Sequence, residues 1–305
     1  MPAKSASENS EERAFAIGGA RVAVPRLAAG LHVVATPIGN LGDVTIRALS
    51  ALAGADIVAC EDSRVTRVLL DRYGISRPLT TYHEHNAAEQ RPRILAWLAE
   101  GRSVALVSDA GTPLLSDPGY RLVVEAVEAG HPVVPVPGPS ALLAALVAAG
   151  LPTDAFFFAG FLPPKSVARQ KRLAELAAIP GSLVFYESPH RLGASLADMA
   201  SVLGDRPAAV ARELTKVFET VRRASLATLA EAFSEAPKGE IVVVVGPPVE
   251  TPPEAEEIDA LLLRLLDAGS VRSAADEAAA VTGLPRRDLY RRALELRDGS
   301  RGAES

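Results

Sequence analysis

Asp109 stands in a loop otherwise built from small residues, Ser108-Asp109-Ala110-Gly111-Thr112, at the end of the apolar run SVALVS (103–108). One carboxylate among backbone amides and small hydroxyls suits a neutral or zwitterionic ligand better than a pyrophosphate. Related loops follow other apolar runs: TPIGNLGD (36–43), CEDSR (60–64), TYHEHN (81–86) and PGPSA (137–141). Neither GxxxxGK[ST] nor a GxGxxG after the first strand occurs, so two common phosphate cradles are missing. His83 and His85 would share one face of an extended segment, yet no third ligand stands at a recognisable spacing, and no metal site is expected. YESPHR (186–191) ends a strand with an acid, a histidine and an arginine, and its Ser188-Pro189 also reads as a helix N-cap and first helical residue. RELTKVFE (212–219) crowds cations and acids together, for which a solvated strand end is the simpler reading. No Ser-His-Asp or Cys-His set has an interpretable order, so nucleophilic hydrolysis has no support.

The elements that must position these loops alternate. Apolar runs at 31–35, 56–60, 79–82, 103–108 and 132–136 are separated by helical stretches at 44–54, 63–73, 87–101 and 118–130. Such alternation implies βαβ units and a mostly parallel sheet, with ligands expected beyond the carboxyl ends of its strands. Asp117-Pro118 reads as an N-cap and first helical residue, and Ser140 as the cap of the next helix. A second block has a different rhythm, with strands at 156–161, 182–188, 208–214, 220–225 and 240–246. AAVAREL and TVRRAS lie close together with no helix between them, so this sheet should contain antiparallel pairs. Residues 1–26 are polar and aperiodic and read as a flexible leader. The expected organisation is therefore an N-terminal α/β domain at 27–150 and a second α/β domain at 151–247. A Pro- and Glu-rich linker at 248–257 then leads to a helix-turn-helix-like block at 258–305. In that last block Ile258, Leu261, Leu262, Leu265 and Leu266 share a face, and Leu289, Ala293, Leu294 and Leu296 form a similar stripe.

With 305 residues, 48% of them hydrophobic, the chain can bury more than one core. A net charge of −5 argues against a uniform polyanion-binding coat. The basic residues are nonetheless uneven. Arg286, Arg287, Arg291, Arg292, Arg297 and Arg301 crowd the last helix and tail, and Arg64, Arg67 and Arg72 offer a second cationic strip. An arginine-rich helical module on a linker fits nucleic-acid contact as well as a solvated face. Cys60 is the only cysteine, which excludes disulfides and cysteine clusters. The longest apolar run, ALLAALVAAGL (141–151), is too short to span a bilayer, and a cytoplasmic location is expected.

The order TPIGNLGD, CEDSR, HEHN, SDAGTP, PGPSA, FAGFLP, YESPHR, ARELTK resembles the tetrapyrrole-methylase superfamily over residues 30 to 247. Within it the chain is similar to the branch that 2′-O-methylates a cytidine of 16S ribosomal RNA in the small subunit. The tetrapyrrole branch carries a more glycine-rich first loop and usually Gly-Asp-Pro where this chain has Ser108-Asp109-Ala110-Gly111, departures that favour the RNA branch. The resemblance implies a two-domain α/β fold, a parallel-sheet domain and a mixed-sheet domain, with S-adenosylmethionine folded between them, in a homodimer. It also implies a cofactor pocket formed by Ser108, Asp109, Gly111 and Thr112, with Asp109 near the ligand's cationic portion. Pro37 and Gly39 would form the neighbouring wall, and Ser140 and Ala141 the third. RNA contacts are expected from Arg64, His83, Arg191, Arg286, Arg287, Arg291 and Arg292.

Removing the proton of a 2′-hydroxyl needs a base, and the candidates are Lys216, Glu213, Glu187 and His190. A carboxylate paired with a cation is depressed in pKa and makes a poor base. Lys216 is favoured if burial or Arg212 lowers its pKa, the simpler reading being an ion pair to Glu213 or Glu219. The alternatives are a corrinoid or porphyrin C-methyltransferase of the same fold and a non-catalytic RNA-binding protein.

Overall fold

Apolar β-branched runs bounded by glycine and proline become the strands of two sheets in the computed structural model, which describes residues 13–115, 119–248 and 255–302. The chain divides after Pro248 into two compact units, Met1–Pro248 and Val249–Ser305.

The first unit opens with a hairpin, β1 (Ala14–Ile17) and β2 (Ala20–Ala23), followed by β3 (Gly30–Val34) and α1 (Ile46–Gly54). Strand and helix then alternate through β4 (Ile57–Cys60), α2 (Ser63–Arg72), β5 (Leu79–Thr81), α3 (Ala87–Ala99) and β6 (Ser103–Val107). The series closes with α4 (Tyr120–Glu128), β7 (Val133–Val136) and α5 (Ala141–Ala149). The sheet order is β5-β4-β6-β3-β7, every pair parallel. Both faces of this sheet are covered. Leu49, Leu52 and Leu70 lie in one core cluster, and Leu31, Ile94 and Leu122 in another. Helix starts follow their caps: α1 begins after Thr45, whose hydroxyl accepts from the Ala48 amide, rather than at Val44. The Asp117-Pro118 cap falls outside the described residues.

The second sheet takes β8 (Phe156–Phe161), β9 (Ser182–Glu187), β10 (Pro207–Arg212), β11 (Thr220–Ser225) and β12 (Ile241–Val245). The helices α6 (Ser166–Leu176), α7 (Leu192–Leu203) and α8 (Leu226–Ala232) cover one face. Its order is β11-β10-β12-β9-β8, and only β8–β9 is parallel. The other face is covered by α5, whose Ala145, Leu146 and Ala149 pack with Val184, Ala209 and Val244. The expected boundary at 150 is therefore crossed: α5 follows the first sheet in sequence but packs on the second, because nearly every side of ALLAALVAA is apolar.

The second unit is a three-helix bundle, α9 (Ala255–Ala268), α10 (Val271–Thr282) and α11 (Arg286–Gly302), closed around Leu262, Ala275, Ala278, Leu289 and Ala293. Helix α9 begins inside the segment expected as linker, with Glu256 and Glu257 in the first turn where the helix dipole favours them.

Residues 13–26 correct the expectation of a flexible leader. Phe15 is buried in the first core, and Ala16 donates its amide to Tyr73 O at 2.7 Å. Asp56 holds the segment by its side chains: Arg13 reaches it at 2.8 Å and Arg26 at 2.8 Å, while the Ser103 amide and hydroxyl complete the shell at 2.9 and 3.0 Å. Burial alone would raise the Asp56 pKa, but donors from Arg26, Ser103 and Arg13 outweigh it and hold the carboxyl well below the usual range. A folded-state pKa below the unfolded one stabilises above the ordinary carboxylate pKa of about 3.9, and the gain is lost as pH falls from there. Asp56→Asn is expected to cost on the order of 1–3 kcal/mol in urea unfolding near neutral pH, with the gap from the unaltered chain narrowing below about pH 4. A gap that stayed constant down to pH 3, roughly a unit below the ordinary carboxylate value, would contradict this anchoring.

Candidate functional site

The loops after β3, β6 and β7 meet at the carboxyl edge of the parallel sheet. Thr36 donates its amide to Gly111 O at 2.9 Å and accepts from the Gly111 amide at 3.1 Å, an isolated antiparallel bridge between two loops. The Thr36 hydroxyl donates to Ser108 O at 3.1 Å, and the Thr112 hydroxyl to Pro139 O at 3.2 Å, which ties in the third loop. Gly111 has φ 79°, and a Cβ there would lie 3.3 Å from Ile38 Cγ2. Only glycine meets both demands without strain.

Two cavities flank this junction. The first, about 370 Å³, is lined by Gly111, Thr112 and Ala141 and, from the second sheet, by Phe161, Tyr186, Glu187, Ala211, Leu214, Ile241 and Val242. The second, about 350 Å³, is lined by Pro37, Gly39, Leu41, Ser108, Asp109 and Lys216, with Val65, Thr66, Val68 and Leu69 of α2. Ile38, Ala110 and Glu240 line both and so mark where the two adjoin. Residues expected around one ligand are thus divided: Gly111, Thr112 and Ala141 face the first cavity, and Pro37, Gly39, Ser108 and Asp109 the second. Ser140 is buried at the N-cap of α5, makes no side-chain cap bond and lines neither cavity.

The turn after β10 folds the candidate bases inward. Glu213 and Thr215 adopt φ of 52° and 66°, unusual for non-glycine residues and held by the contacts around them. Lys216 Nζ reaches Glu213 Oε1 at 2.9 Å and Glu240 Oε2 at 3.1 Å. Burial pulls the Lys216 pKa down, but hydrogen bonds to Glu213 and Glu240 together with their charges outweigh it, so the net direction is up. The expected lowering by Arg212 does not occur: that guanidinium donates to Thr220 and to Lys238 O instead. Glu213 forms the anticipated ion pair, whereas Glu219 accepts from the Thr215 amide. The Lys216 hydrogen bond, then the Glu240 amide, lowers the Glu213 pKa.

Glu187 is fully enclosed. It accepts from Ser195 at 2.5 Å and from the Ser188 amide at 2.8 Å, and pairs with Arg191 at 3.2 Å. Arg191, expected to contact RNA, is partly exposed and donates to Leu162 O at 2.6 Å. Arg169 grips the next carbonyls, Pro163 and Pro164, from a buried pair with Asp198. His190 is exposed and lines neither cavity, and His83 packs edge-on against His85 at 6.1 Å, also away from both.

Asp109 Oδ1 accepts from the Asp62 amide at 2.9 Å. Burial, and then the Asp62 charge, raise the Asp109 pKa against the lowering by that amide and by Arg64. The Arg64 side chain is 89% exposed and paired with Asp62. In the helical unit Arg286 pairs with Asp276, Arg291 with Asp288, and Arg292 with Asp259 and Glu295. Arg287 is exposed, with no ion pair among the described residues.

Sequence reasoning missed Ile38, Glu240, Thr66 and the β10 and β12 positions. The segments ARELTK and EIVVVVG were visible, but nothing in a buried valine run marks which residues open onto a cavity.

The family described as tetrapyrrole (corrin/porphyrin) methylases matches residues 30–230, and the RsmI C-terminal HTH domain matches residues 252–297. A Mesorhizobium japonicum protein named ribosomal RNA small subunit methyltransferase I is 57% identical over 287 residues, covering 93% of this chain and 98% of its own. The Pseudomonas aeruginosa protein of that name is 48% identical, covering 87% and 96%. Among solved structures, a conserved hypothetical protein from Aeropyrum pernix is similar at TM-score 0.57 and 20% identity, covering 90% of this chain and 98% of that one. Uroporphyrin-III C-methyltransferase from Thermus thermophilus, complexed with S-adenosyl homocysteine, is similar at TM-score 0.51 and 21% identity, covering 70% and 96%.

A Cβ at Gly39, whose φ is 150°, would lie 2.5 Å from Lys216 Cγ, so the lysine stem crosses the cleft on bare backbone. Gly39→Ala is expected to push Lys216 off its carboxylates. Its pKa, followed by NMR, should then fall back toward the ordinary lysine value of about 10.4. An unchanged Lys216 titration would rule out this contact.

Proposed function

Because the chain belongs to the tetrapyrrole methylase family, and within it to the ribosomal RNA small subunit methyltransferase I proteins, we propose that it uses S-adenosylmethionine to methylate the 2′-hydroxyl of a cytidine in 16S ribosomal RNA. The observation that carries this reading is the charge of the first cavity. Its charged side chains are Glu187 and Glu240, each held by a cation that lies outside the lining, Arg191 and Lys216, so the surface it offers is close to neutral. A near-neutral site of small residues and backbone amides suits a sulfonium zwitterion better than a phosphate ligand. When bound, S-adenosylmethionine supplies an activated methyl group. Gly111, Thr112 and Ala141 would hold it on one side, with Ala211, Leu214, Ile241 and Val242 forming an apolar wall on the other.

Positioning supplies much of the acceleration in an in-line displacement, so rigid walls matter more than reactive groups. Lys216 acts here as a charged group. With two carboxylates on it, it stays an ammonium, which steadies negative charge developing on an acceptor oxygen without accepting its proton. The basic residues of α2 and α11 supply phosphate contacts to the RNA. The homodimer and the cytoplasmic location belong to the same proposal. Leu143 and Val147 of α5 are half or more exposed, an apolar surface that a second copy would cover. No described helix is long and apolar enough to cross a membrane.

Gly111→Val forces a β-branched residue into a positive φ beside Ile38. Calorimetry should show S-adenosylmethionine binding weakened at least about tenfold, the 1.4 kcal/mol that modest backbone strain supplies, with the fold retained by circular dichroism. Unchanged affinity would remove this loop from the cofactor site. Lys216→Met should leave that affinity intact and slow single-turnover methylation by about tenfold or more, and a wild-type rate would refute its role. For RNA, Arg287→Ala should reduce the slope of log affinity against log salt by about one. An unaltered slope would make Arg287 a solvated residue.

A further inference from the structure

The reading above draws on the second cavity only through Lys216, yet the whole of it has the composition of a nucleotide site. One side offers Leu41, Val65, Val68 and Leu69, apolar surface for the face of a base. The other offers Asp109, Lys216 and Glu240. This cavity adjoins the first, with Ile38, Ala110 and Glu240 lining both. A donor and an acceptor seated in adjoining cavities meet at that shared edge, where an in-line displacement has its reacting atoms in direct contact. Helix α2 continues the site outward. Val68 is 60% exposed and Val65 43%, while Arg64 and Arg67, three residues apart and exposed, share the adjoining stripe of the same helix.

We propose that the second cavity receives the acceptor nucleotide, swung out of its strand between α2 and Lys216, and that Asp109 accepts the proton of its 2′-hydroxyl. The proposal rests on the functional reading above and deepens it. A single-stranded nucleotide is splayed out at low cost, and Arg64 and Arg67 lie where flanking phosphates would run. Asp109 is suited to the proton transfer. Its Oδ1 is fixed by the Asp62 amide, and Oδ2 makes no hydrogen bond among the described residues. The other candidates are committed elsewhere: Glu213 to Lys216 and the Glu240 amide, Glu187 to Ser195, Ser188 and Arg191. In the step, the hydroxyl oxygen's electron pair forms the new O–CH₃ bond and the S–CH₃ electron pair stays on sulfur. The O–H proton moves to Asp109, which later yields it to water.

The groups facing Asp109 are Asp62, Arg64 and Cys60, with Lys216 and Glu240 across the cavity. Burial raises its pKa, so the base form is lost at a higher pH than for an ordinary carboxylate, and the rate should climb with pH through that point.

The test uses the full chain and a 16S ribosomal RNA substrate that the unaltered enzyme methylates. Val68→Trp, at an exposed helix position, fills the cavity from α2. It should leave S-adenosylmethionine affinity within about twofold by calorimetry while weakening RNA binding about tenfold, the 1.4 kcal/mol step of a modest contact loss. Asp109→Asn should keep both affinities, slow single-turnover methylation at least about 10²-fold and abolish the acidic limb of the pH–rate profile. Loss of S-adenosylmethionine affinity in either variant would assign the cavity to the cofactor and overturn the proposal. So would a wild-type pH profile in Asp109→Asn, or unchanged RNA binding in Val68→Trp. If the unaltered protein neither bound S-adenosylmethionine nor methylated 16S RNA, the functional reading itself would fail before any variant was compared.

Discussion

Two backbone hydrogen bonds between Thr36 and Gly111 set the geometry on which the rest of the site depends. They join loops that leave adjacent strands β3 and β6, and so place Ile38 and Ala110 where the two cavities adjoin. Without the bridge these backbone groups would need other partners, and the two loops would lose their common anchor. The bridge costs one residue its freedom of choice: position 111 must have positive φ and no side chain. The pairing sets the path of the loop, and the Asp62 amide then fixes the carboxylate of Asp109 two residues earlier.

The opposite wall is built on another principle. Glu213 and Thr215 sit in backbone conformations that cost about 1–3 kcal/mol each outside glycine. Gly239 makes room for the Glu213 carboxylate, since a Cβ there would come within 2.3 Å of it. Lys216, Glu213 and Glu240 then form a closed charge cluster whose lysine spans from the second sheet to Gly39 of the first lobe. Hydrogen bonds on the parallel-sheet side and ion pairs on the mixed-sheet side therefore meet across one cleft. The two halves differ in response to solution conditions, because the ion pairs weaken with salt and the backbone bridge does not.

Much of the frame was legible in the chain. Runs such as SVALVS and EIVVVVG carry strong strand signals, and glycines at 74, 101 and 130 end helices with positive φ as their spacing implies. Local periodicity could not reveal what is settled by distant partners. The hairpin at 14–23 looks like a polar leader because its anchoring carboxylate, Asp56, lies some thirty residues or more away. Helix α5 reads as the end of the first block because sequence order cannot show which sheet an all-apolar helix covers. The arginines of α11 read as a free basic face, whereas Asp259 and Asp276 from neighbouring helices of the bundle neutralise two of them. Lys216 was identified by residue type alone, and its charge state follows from Glu213 together with Glu240, a residue that no motif drew attention to.

Strand β8 is an edge of the mixed sheet and presents Phe156, Phe157 and Phe161 partly to solvent. A long flat edge of that composition would invite another chain to add a strand. Two features blunt it. The register with β9 shifts between Phe158 and Gly160, a bulge that twists the edge out of plane. Beyond it come Pro163 and Pro164, which have no amide hydrogens to offer an incoming strand, while Arg169 and Arg191 already occupy the carbonyls of the segment. The arginine contacts that hold the chain beyond β8 thus also cap the sheet, protecting the folded chain from edge-to-edge aggregation.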